Sequence, residues 1–405
     1  MTPRTHIIGA GMAGLAAAHM LALAGHAVTL HEATPGAGGR ARALPDGTDN
    51  GTHALIGCNT AALEFLDAIG ARQLWVQPEP DGLPVLDCAD GSARRVALSP
   101  AGWWRADRRP AGVSVSGVLA MMAMALPTQD RTIAEAMAAH PAFLRGFVDP
   151  LVIAALNTPS AEASTLRLGQ VLRRLGAPGA TRLFVARRGL GPDMVDPALA
   201  VLAAMGVEYR PGSRLRSIQR EGRRVSSLSF QESDVVLEAQ DRMVLALPPW
   251  EAARILPDLP VPQSFAPIVN LHFAFTPLGP VRFLGLIGAL CQWVLVRPEG
   301  VAVTVSAGDS EADQDVGELA PRAWAEILRA VRAFHLPGEW PETPPPCRVI
   351  KERRATPRQR PGPIPTPPRR PLANLALAGD WTWPHLPATI EAAICSGQAA
   401  AKEFL

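Results

Sequence analysis

The sequence predicts an α/β fold, in which a Rossmann-like domain is joined to a second, α+β domain that carries a helical cap. The first observation is a strand, glycine turn, helix, strand and acid, in that order, over residues 6–32. The second is a pair of apolar segments, Met243–Leu247 and Leu375–Ala378, typical of parallel strands buried on both faces. The third is the helical spacing of apolar residues over Ile133–Leu175, without strand signals, which predicts the cap.

The glycine turn has the form Gly-x-Gly-x-x-Gly and directly follows the apolar run at residues 6–8. Its first glycine permits a tight turn, its second lets a pyrophosphate approach the backbone, and its third allows helix and strand to pack. The phosphates would lie at the helix N-terminus, where N–H groups and the helix dipole favour negative charge. Glu32, eighteen residues after the last glycine, would meet the ribose hydroxyls. The turn residues predicted to contact this dinucleotide are Gly9, Gly11, Met12, Ala13 and Gly14.

A second glycine-rich loop, Gly36-Ala37-Gly38-Gly39-Arg40, comes shortly after the acid. A flexible loop that closes on an arginine suits a second pass over the same pyrophosphate, because a guanidinium offers two donors in a fixed geometry. We therefore expect Gly39 and Arg40 to contact the dinucleotide.

With these residues the sequence resembles the superfamily of FAD-dependent oxidoreductases that includes amine oxidases and carotenoid desaturases such as phytoene desaturase. The segment Asp49–Gly57, which reads Asp-Asn-Gly-Thr-His-Ala-Leu-Ile-Gly, is similar to that of the squalene-associated FAD-dependent family, the hydroxysqualene dehydroxylases of hopanoid biosynthesis. The resemblance covers nearly the whole chain, since it returns at Ala155–Pro159, Ala246–Trp250 and Leu377–Thr382.

The resemblance implies FAD as the cofactor and a nucleotide domain of the glutathione-reductase type. It also implies that Gly379 and Asp380 bind the phosphate–ribityl region, although a helix-capping or turn role is the alternative for Asp380. A last helix would point its N-terminus and the Ile390 N–H at the flavin ring, where negative charge develops on reduction. The backbone at Leu215 would lie against the adenine.

Three classes of function remain open from the residues. The first is reductive dehydroxylation, in which reduced FAD gives hydride to the carbon of hydroxysqualene that loses its hydroxyl. The second is an oxidising flavoenzyme on the same fold, either a carotenoid-type desaturase or an amine oxidase. Amine oxidases use an aromatic cage, whereas this chain has a single tyrosine, Tyr209. The third is a non-catalytic isoprenoid-binding protein, which the complete set of FAD-holding residues disfavours.

Loss of a hydroxyl as water requires a proton donor. His53 is the first candidate because it follows the segment expected to pass under the flavin, and a histidine hydrogen-bonded to backbone is the competing interpretation. His385 and Glu391, near the start of the last helix, are weaker candidates. The chain has no second Gly-x-Gly-x-x-Gly, so a nicotinamide site is not expected and the electron donor stays open.

Composition excludes several partners. The 405 residues suffice for two domains, and a net charge of +2 gives no electrostatic reason to expect nucleic acid. The five cysteines lack metal-ligand or redox spacing, which fits a reducing compartment and no metal site. The first apolar segment is already the nucleotide-binding strand, so we expect a cytoplasmic protein.

The predicted FAD-binding domain is discontinuous and comprises residues 1–75, 185–260 and 372–405. The substrate domain with its cap comprises residues 76–184 and 261–345. Residues 346–371 are rich in proline and arginine and predict a solvated connector, for which a contact to anionic lipid headgroups is the alternative.

The segment Val113–Leu126 is apolar and uncharged. It predicts either a buried core helix or a methionine-rich surface that lines a tunnel or faces a membrane. A long apolar isoprenoid substrate would suit the second interpretation, with peripheral contact at the inner face of the membrane.

Overall fold

The computed structural model describes residues 3–126 and 129–405. The strands are β1 Arg4–Ile8, β2 Ala27–His31, β3 Ala54–Ile56, β4 Trp75–Val76, β5 Leu83–Asp87, β6 Ala93–Val96, β7 Leu183–Ala186, β8 Glu208–Arg210, β9 Leu215–Glu221, β10 Arg224–Phe230, β11 Asp234–Val236, β12 Arg242–Leu245, β13 Phe265–Phe273, β14 Arg282–Ile287, β15 Trp293–Arg297, β16 Gly300–Ser306, β17 Cys347–Pro357 and β18 Leu375–Leu377. The helices are α1 Met12–Leu23, α2 Thr60–Ala68, α3 Val115–Ala123, α4 Ile133–Ala136, α5 Pro141–Phe143, α6 Asp149–Leu156, α7 Thr165–Arg174, α8 Asp196–Ala204, α9 Pro249–Ile255, α10 Val316–Ala333 and α11 Ile390–Lys402.

A five-stranded parallel sheet forms the nucleotide half, in the order β18-β12-β1-β2-β8. Strands β18, β12, β1 and β2 are short and almost wholly buried, as the apolar segments predicted for β12 and β18, whereas the edge strand β8 is partly exposed. Helix α1 packs against the sheet through Gly14, where a Cβ would lie 1.9 Å from the Gly9 carbonyl oxygen. The Rossmann-like prediction is therefore confirmed, and the antiparallel meander β9–β10–β11 is attached to this half.

A seven-stranded mixed sheet forms the other half, in the order β17-β13-β16-β15-β14-β5-β6. The hairpin of β5 and β6 lies at one edge, and α10 packs on one face through Leu319, Trp324 and Ile327. Helices α3 to α7 form a separate apolar cluster around Phe143 and Val152, which is the predicted helical cap.

The prediction of a solvated connector over residues 346–371 is wrong for its first half. Strand β17 occupies Cys347–Pro357 and pairs antiparallel with β13 along most of its length. Two arginines of this region form ion pairs: Arg353 of β17 pairs with Asp313 at 2.8 Å, and Arg358, directly after β17, pairs with Asp309. The composition was misleading because an edge strand can keep charged side chains in solvent, and Arg353 and Arg354 are both exposed although β17 is paired with β13. The domain boundaries themselves stay a prediction.

Segment Val113–Leu126, which contains helix α3, is partly a buried core element and partly an exposed apolar surface. Met121 and Met124 are buried in the cap, whereas Val115 and Leu119 are 80% and 65% exposed. Across the described ranges, no helix is both long enough and apolar enough to cross a bilayer.

Candidate active site

A large cavity of about 1370 Å³ runs between the parallel sheet, the seven-stranded sheet and the helical cap. The glycine turn and the second glycine-rich loop border one end, and apolar side chains of the cap and of β5, β14 and β15 border the other. Its size exceeds the range of roughly 300–1,000 Å³ typical of sites for one small ligand. The cavity can therefore hold a dinucleotide and a second, apolar molecule.

The two glycine loops form a cradle at the first end. Gly9 has φ +104°, and a Cβ there would lie 2.4 Å from the Ala246 carbonyl oxygen, so only glycine fits. Gly38 donates its N–H to the Ala10 carbonyl at 2.8 Å, and a Cβ at Gly39 would lie 3.2 Å from the Gly11 Cα. The second loop therefore lies directly against the first, as predicted.

Met12 and Ala13 occupy the first two positions of α1, where backbone N–H groups have no acceptor within the helix. They line the cavity beside the glycine cradle. The predicted set Gly9, Gly11, Met12, Ala13, Gly39 and Arg40 is thus gathered at one place. Gly14 is not among the residues that line the cavity. It packs against the Gly9 carbonyl, as its predicted role in helix–strand packing requires, and its predicted contact with the dinucleotide stays a prediction.

Glu32 borders the same end, at the end of β2. One carboxylate oxygen accepts the Ala10 N–H at 2.9 Å, and the other accepts the N–H and hydroxyl of Thr34. The carboxylate therefore fixes the glycine turn and still has lone pairs for ribose hydroxyls. Leu215 lies nearby, buried at the start of β9, with its carbonyl held by Arg254 at 2.9 Å.

Arg40 and Asp380, which are 340 residues apart, meet at 2.6 Å. Asp380 follows Gly379, whose φ of +143° and close contact with the Trp381 indole explain the glycine. The predicted helix follows as α11, with Thr389 as its N-cap and Ile390 as its first residue. The Ile390 N–H thus lies at a helix N-terminus that borders the cavity.

His53 lies half-buried on the cavity wall. Burial lowers the pKa of His53 below its usual value, although the nearby Asp49 carboxylate raises it. The imidazole is therefore mainly neutral at pH 7 and would have to take up a proton before it could donate one.

The two weaker candidates do not act as free acids in this site. His385 is exposed against Trp383 and does not line the cavity. Glu391 borders the cavity, but its oxygens accept the N–H groups of Ala61 and Ala62 and pair with Arg174 at 3.2 Å. Its carboxylate serves the N-terminus of α2, because the first N–H groups of a helix need external acceptors.

The sequence did not reveal the polar residues on the seven-stranded sheet. Asn270 on β13 and Thr304 on β16 face each other in register and line the cavity. Asn157, in left-handed conformation after α6, ties the cap to β17 through the Thr356 hydroxyl at 2.9 Å. A signal existed for Asn270, which is the only amide within the apolar run Ile268–Phe273.

A buried ion pair supports the loop that carries His53. Asp49 accepts a hydrogen bond from Arg297 of β15 at 2.9 Å, and both side chains are almost fully buried. Asp49 also accepts the Leu190 N–H at 2.8 Å. This loop is therefore fixed to both halves of the molecule.

Comparison with known proteins identifies the family. A model of the flavin containing amine oxidoreductase family matches residues 12–278. A hydroxysqualene dehydroxylase from Rhodopseudomonas palustris is 37% identical over 422 residues, covering 99% of this chain and 98% of that protein. A second, from Zymomonas mobilis, is 34% identical and covers 98% of each chain. The chain belongs to the hydroxysqualene dehydroxylase family. The resemblance seen in the sequence is thereby confirmed.

Solved structures agree on the fold. Cyclohexylamine oxidase from Brevibacterium oxydans superposes with a TM-score of 0.74 at 16% identity, covering 100% of this chain and 99% of that one. A putrescine oxidase bound to putrescine gives a TM-score of 0.71 at 17% identity, with the same coverage. At these identities the likeness shows the fold alone, an FAD-binding Rossmann-like domain with a substrate domain.

The residues of the family's flavin site fit FAD. The glycine cradle leaves its backbone open to a pyrophosphate, and Glu32 lies where a ribose would follow. Arg40, Asp380 and the N-terminus of α11 lie along the same cavity. Each element therefore matches one part of FAD by charge and hydrogen-bonding capacity.

Proposed function

We propose that this protein converts hydroxysqualene to squalene by FAD-dependent reductive dehydroxylation, as part of squalene and hopanoid biosynthesis. The observation that carries the proposal is the similarity, over nearly the whole chain, to proteins of that name. The cavity supports it, because an apolar chamber continues from the cofactor cradle and suits a long isoprenoid.

When bound and reduced, FAD supplies the hydride that replaces the hydroxyl. The N-terminus of α11 would stabilise negative charge at the cofactor, and the apolar walls around Phe283, Leu286 and Trp293 exclude water from the reacting carbon. His53 is our candidate for the group that protonates the departing oxygen, so that it leaves as water.

The test of the reaction is anaerobic. Holoenzyme that has been chemically reduced should convert hydroxysqualene to squalene, with one flavin reoxidised per product, and oxidised holoenzyme should form none. A carotenoid-type desaturase would instead reduce oxidised flavin while adding double bonds. Absence of squalene from the reduced reaction would overturn the proposal.

The role of His53 has its own test. His53→Ala should lower turnover by about 10²–10⁴-fold, the usual contribution of a general acid, with FAD still bound. His385→Ala is the control, because this exposed histidine lies outside the cavity. A near-normal rate in His53→Ala would remove His53 from the chemistry and leave the reaction standing.

We further propose that the protein collects its substrate at a membrane surface on the cytoplasmic side. The support is a group of exposed apolar side chains, which we call the α3 patch: Trp104, Val115, Leu119, Met122 and Leu126. Val115, Leu119 and Met122 are spaced as neighbours on one face of α3. Trp104 is 87% exposed, and its neighbour Trp103 packs on Phe143, which lies against Gly117 of α3. Met122 also lines the cavity, so the patch lies at a wall of the substrate chamber.

Flotation with anionic liposomes tests this membrane contact. Wild-type protein should float, and Leu119→Glu should remain at the bottom of the gradient, because a charge in the patch opposes insertion. Leu278→Glu is a matched control, since Leu278 is 64% exposed but lies outside the patch. Equal flotation of both variants would count against the α3 patch.

A further inference from the structure

The cavity wall contains a compact polar group centred on Asn270. Asn270 is only 2% exposed, and its side-chain oxygen accepts the Thr304 hydroxyl at 3.2 Å and the Thr52 N–H at 3.5 Å. Its amide nitrogen donates to the Asn50 carbonyl at 3.5 Å, which leaves one N–H without an acceptor among the described residues. We call Gly51, Thr52, His53, Asn270 and Thr304 the polar recess.

The polar recess has unused hydrogen-bonding capacity. The Thr52 hydroxyl oxygen is buried and has no partner within the described residues. A buried polar atom left unpaired costs about 1–3 kcal/mol. All five residues line the cavity, so a ligand in it can supply the missing partner.

Gly51 provides the space. A Cβ built on Gly51 would lie 3.4 Å from His53 Nε2 and 3.5 Å from Asn270 Nδ2. These are ordinary contact distances, and the Gly51 backbone is not in the left-handed region. Neither conformation nor packing therefore requires glycine at this position. Because glycine has no side chain, a gap about one atom wide remains between His53 Nε2 and Asn270 Nδ2.

We propose that the polar recess binds the hydroxyl group of the substrate and so selects the alcohol over the hydrocarbon product. The inference rests on the proposed function. Apolar walls recognise the substrate and the product about equally, because the two differ only at one carbon. A site that hydrogen-bonds a hydroxyl, by contrast, disfavours an analogue that lacks it, since its own polar groups are then left unpaired.

The recess also fits the chemistry of the step. The C–O bond breaks, the oxygen takes a proton and leaves as water, and hydride takes its place at carbon. The oxygen would be held by the Thr52 hydroxyl and the Asn270 amide, with His53 Nε2 beside it. Once the oxygen has left, those hydrogen bonds to the organic product no longer exist, which favours product release.

Equilibrium binding to the oxidised holoenzyme tests the proposal, since the oxidised form does not turn over. Hydroxysqualene and squalene would each be titrated in detergent, with the flavin spectrum as the readout. Thr52→Val removes the hydroxyl at nearly constant shape, and Gly51→Ala fills the gap. Each should weaken hydroxysqualene binding by about tenfold, the scale of one hydrogen bond, with squalene binding and the FAD dissociation constant within twofold of wild type.

Thr181→Val is the control, because Thr181 lines the cavity outside the recess. Equal weakening of alcohol and hydrocarbon in Thr52→Val and Gly51→Ala would overturn the proposal. A raised FAD dissociation constant with the alcohol preference intact would overturn it too, since the recess would then serve the cofactor. Wild-type enzyme that makes no squalene in the anaerobic assay would reject the proposed function instead, which separates the two failures.

Discussion

Individual side chains expected to contact the cofactor also hydrogen-bond within the protein. Glu32 fixes the Ala10 N–H of the glycine turn, and Arg40 holds Asp380 across the cavity. Hydrogen bonds within the protein therefore fix the donors and acceptors that are expected to meet FAD. Pre-formed donors and acceptors lose less entropy on binding than groups that must first be ordered.

Glu32→Ala should weaken FAD binding by roughly 1.5–3 kcal/mol, the scale of a hydrogen bond to a charged group. The loss has two sources, the ribose contact and the support of the glycine turn. Titration of apoprotein with FAD measures it. Glu221→Ala, at an exposed turn of the meander, should bind FAD as wild type does, and an unchanged affinity in Glu32→Ala would contradict the assignment.

The pH dependence of turnover should reveal the protonation state of His53. Because burial lowers the pKa of His53, the protonated form is a minority above pH 6.5. If that form donates the proton, kcat should rise about tenfold for each unit by which the pH falls toward this pKa. The rise should vanish in His53→Ala, measured in anaerobic single turnovers. A flat wild-type profile would contradict proton donation by His53.

Sequence reasoning succeeded for residues whose role follows from local pattern, such as the two glycine loops. It failed for the polar recess, because Thr52 and Asn270 are 218 residues apart and meet only through the packing of the two halves. The sequence also did not predict that Glu391 accepts the N–H groups at the start of α2 or that His385 is exposed. Whether a polar side chain faces a cavity, a helix end or solvent depends on tertiary contacts.

At the level of elements, two helices present their N-termini to one cavity because they cross closely. Helices α1 and α11 meet at Gly397, where a Cβ would lie 2.1 Å from the Ala13 carbonyl oxygen. That contact fixes the spacing between the first residues of α1 and those of α11. Strand β17 was not predicted, because its arginines and Pro357 are not typical of a strand. Its pairing with β13 stabilises the strand.

Gly397→Ala should destabilise the fold by about 1–3 kcal/mol, as overpacking of a close contact does, and should lower the FAD content of purified protein. The added methyl group separates α11 from α1 and so misplaces both N-termini. Urea denaturation and the ratio of flavin to protein absorbance measure the two effects. Gly36→Ala is the control, because a Cβ there meets nothing within 4 Å. Equal behaviour of the two variants would contradict the expectation.

At the level of the whole molecule, a buried ion pair and a buried pair of histidines affect the stability of the fold. Asp49 and Arg297 connect the His53 loop to the seven-stranded sheet. His6 and His31 form a buried pair between β1 and β2, with 3.1 Å between their ring nitrogens. Burial is the main cause that lowers the pKa of His6 to about 4 and of His31 to about 3.

Arg297→Met should cost about 3–5 kcal/mol of stability, because it leaves the Asp49 carboxylate buried without its partner. Arg353→Met removes one partner of an exposed pair and should cost less than about 1 kcal/mol. Urea denaturation of both variants provides the comparison. Similar losses of unfolding free energy in the two variants would contradict the expectation that the buried Asp49 carboxylate needs Arg297 more than an exposed carboxylate needs its partner.

Acid should destabilise the fold from about pH 6.5 downward. The folded state keeps His6 and His31 neutral, whereas the unfolded chain protonates them near their usual pKa of about 6.5. The unfolded state therefore binds more protons below that pH, and stability falls by up to about 1.4 kcal/mol per pH unit for each histidine. Urea denaturation between pH 7.5 and 5.5 measures the slope. His31→Gln keeps hydrogen-bonding groups without a titrating ring, and a slope as steep as that of wild type would contradict this origin.

The order of strands in the parallel sheet has a consequence for synthesis. Strand β1 lies between β2, which follows it directly, and β12, more than two hundred residues later, while β18 and α11 come from residues 375–402. The glycine cradle emerges from the ribosome well before Asp380 and the second helix terminus that face it. Contacts this distant in sequence form slowly, and the unpaired β1 edge needs protection meanwhile. FAD can be fully enclosed only after translation has passed residue 402, so nascent chains halted earlier should be apoprotein.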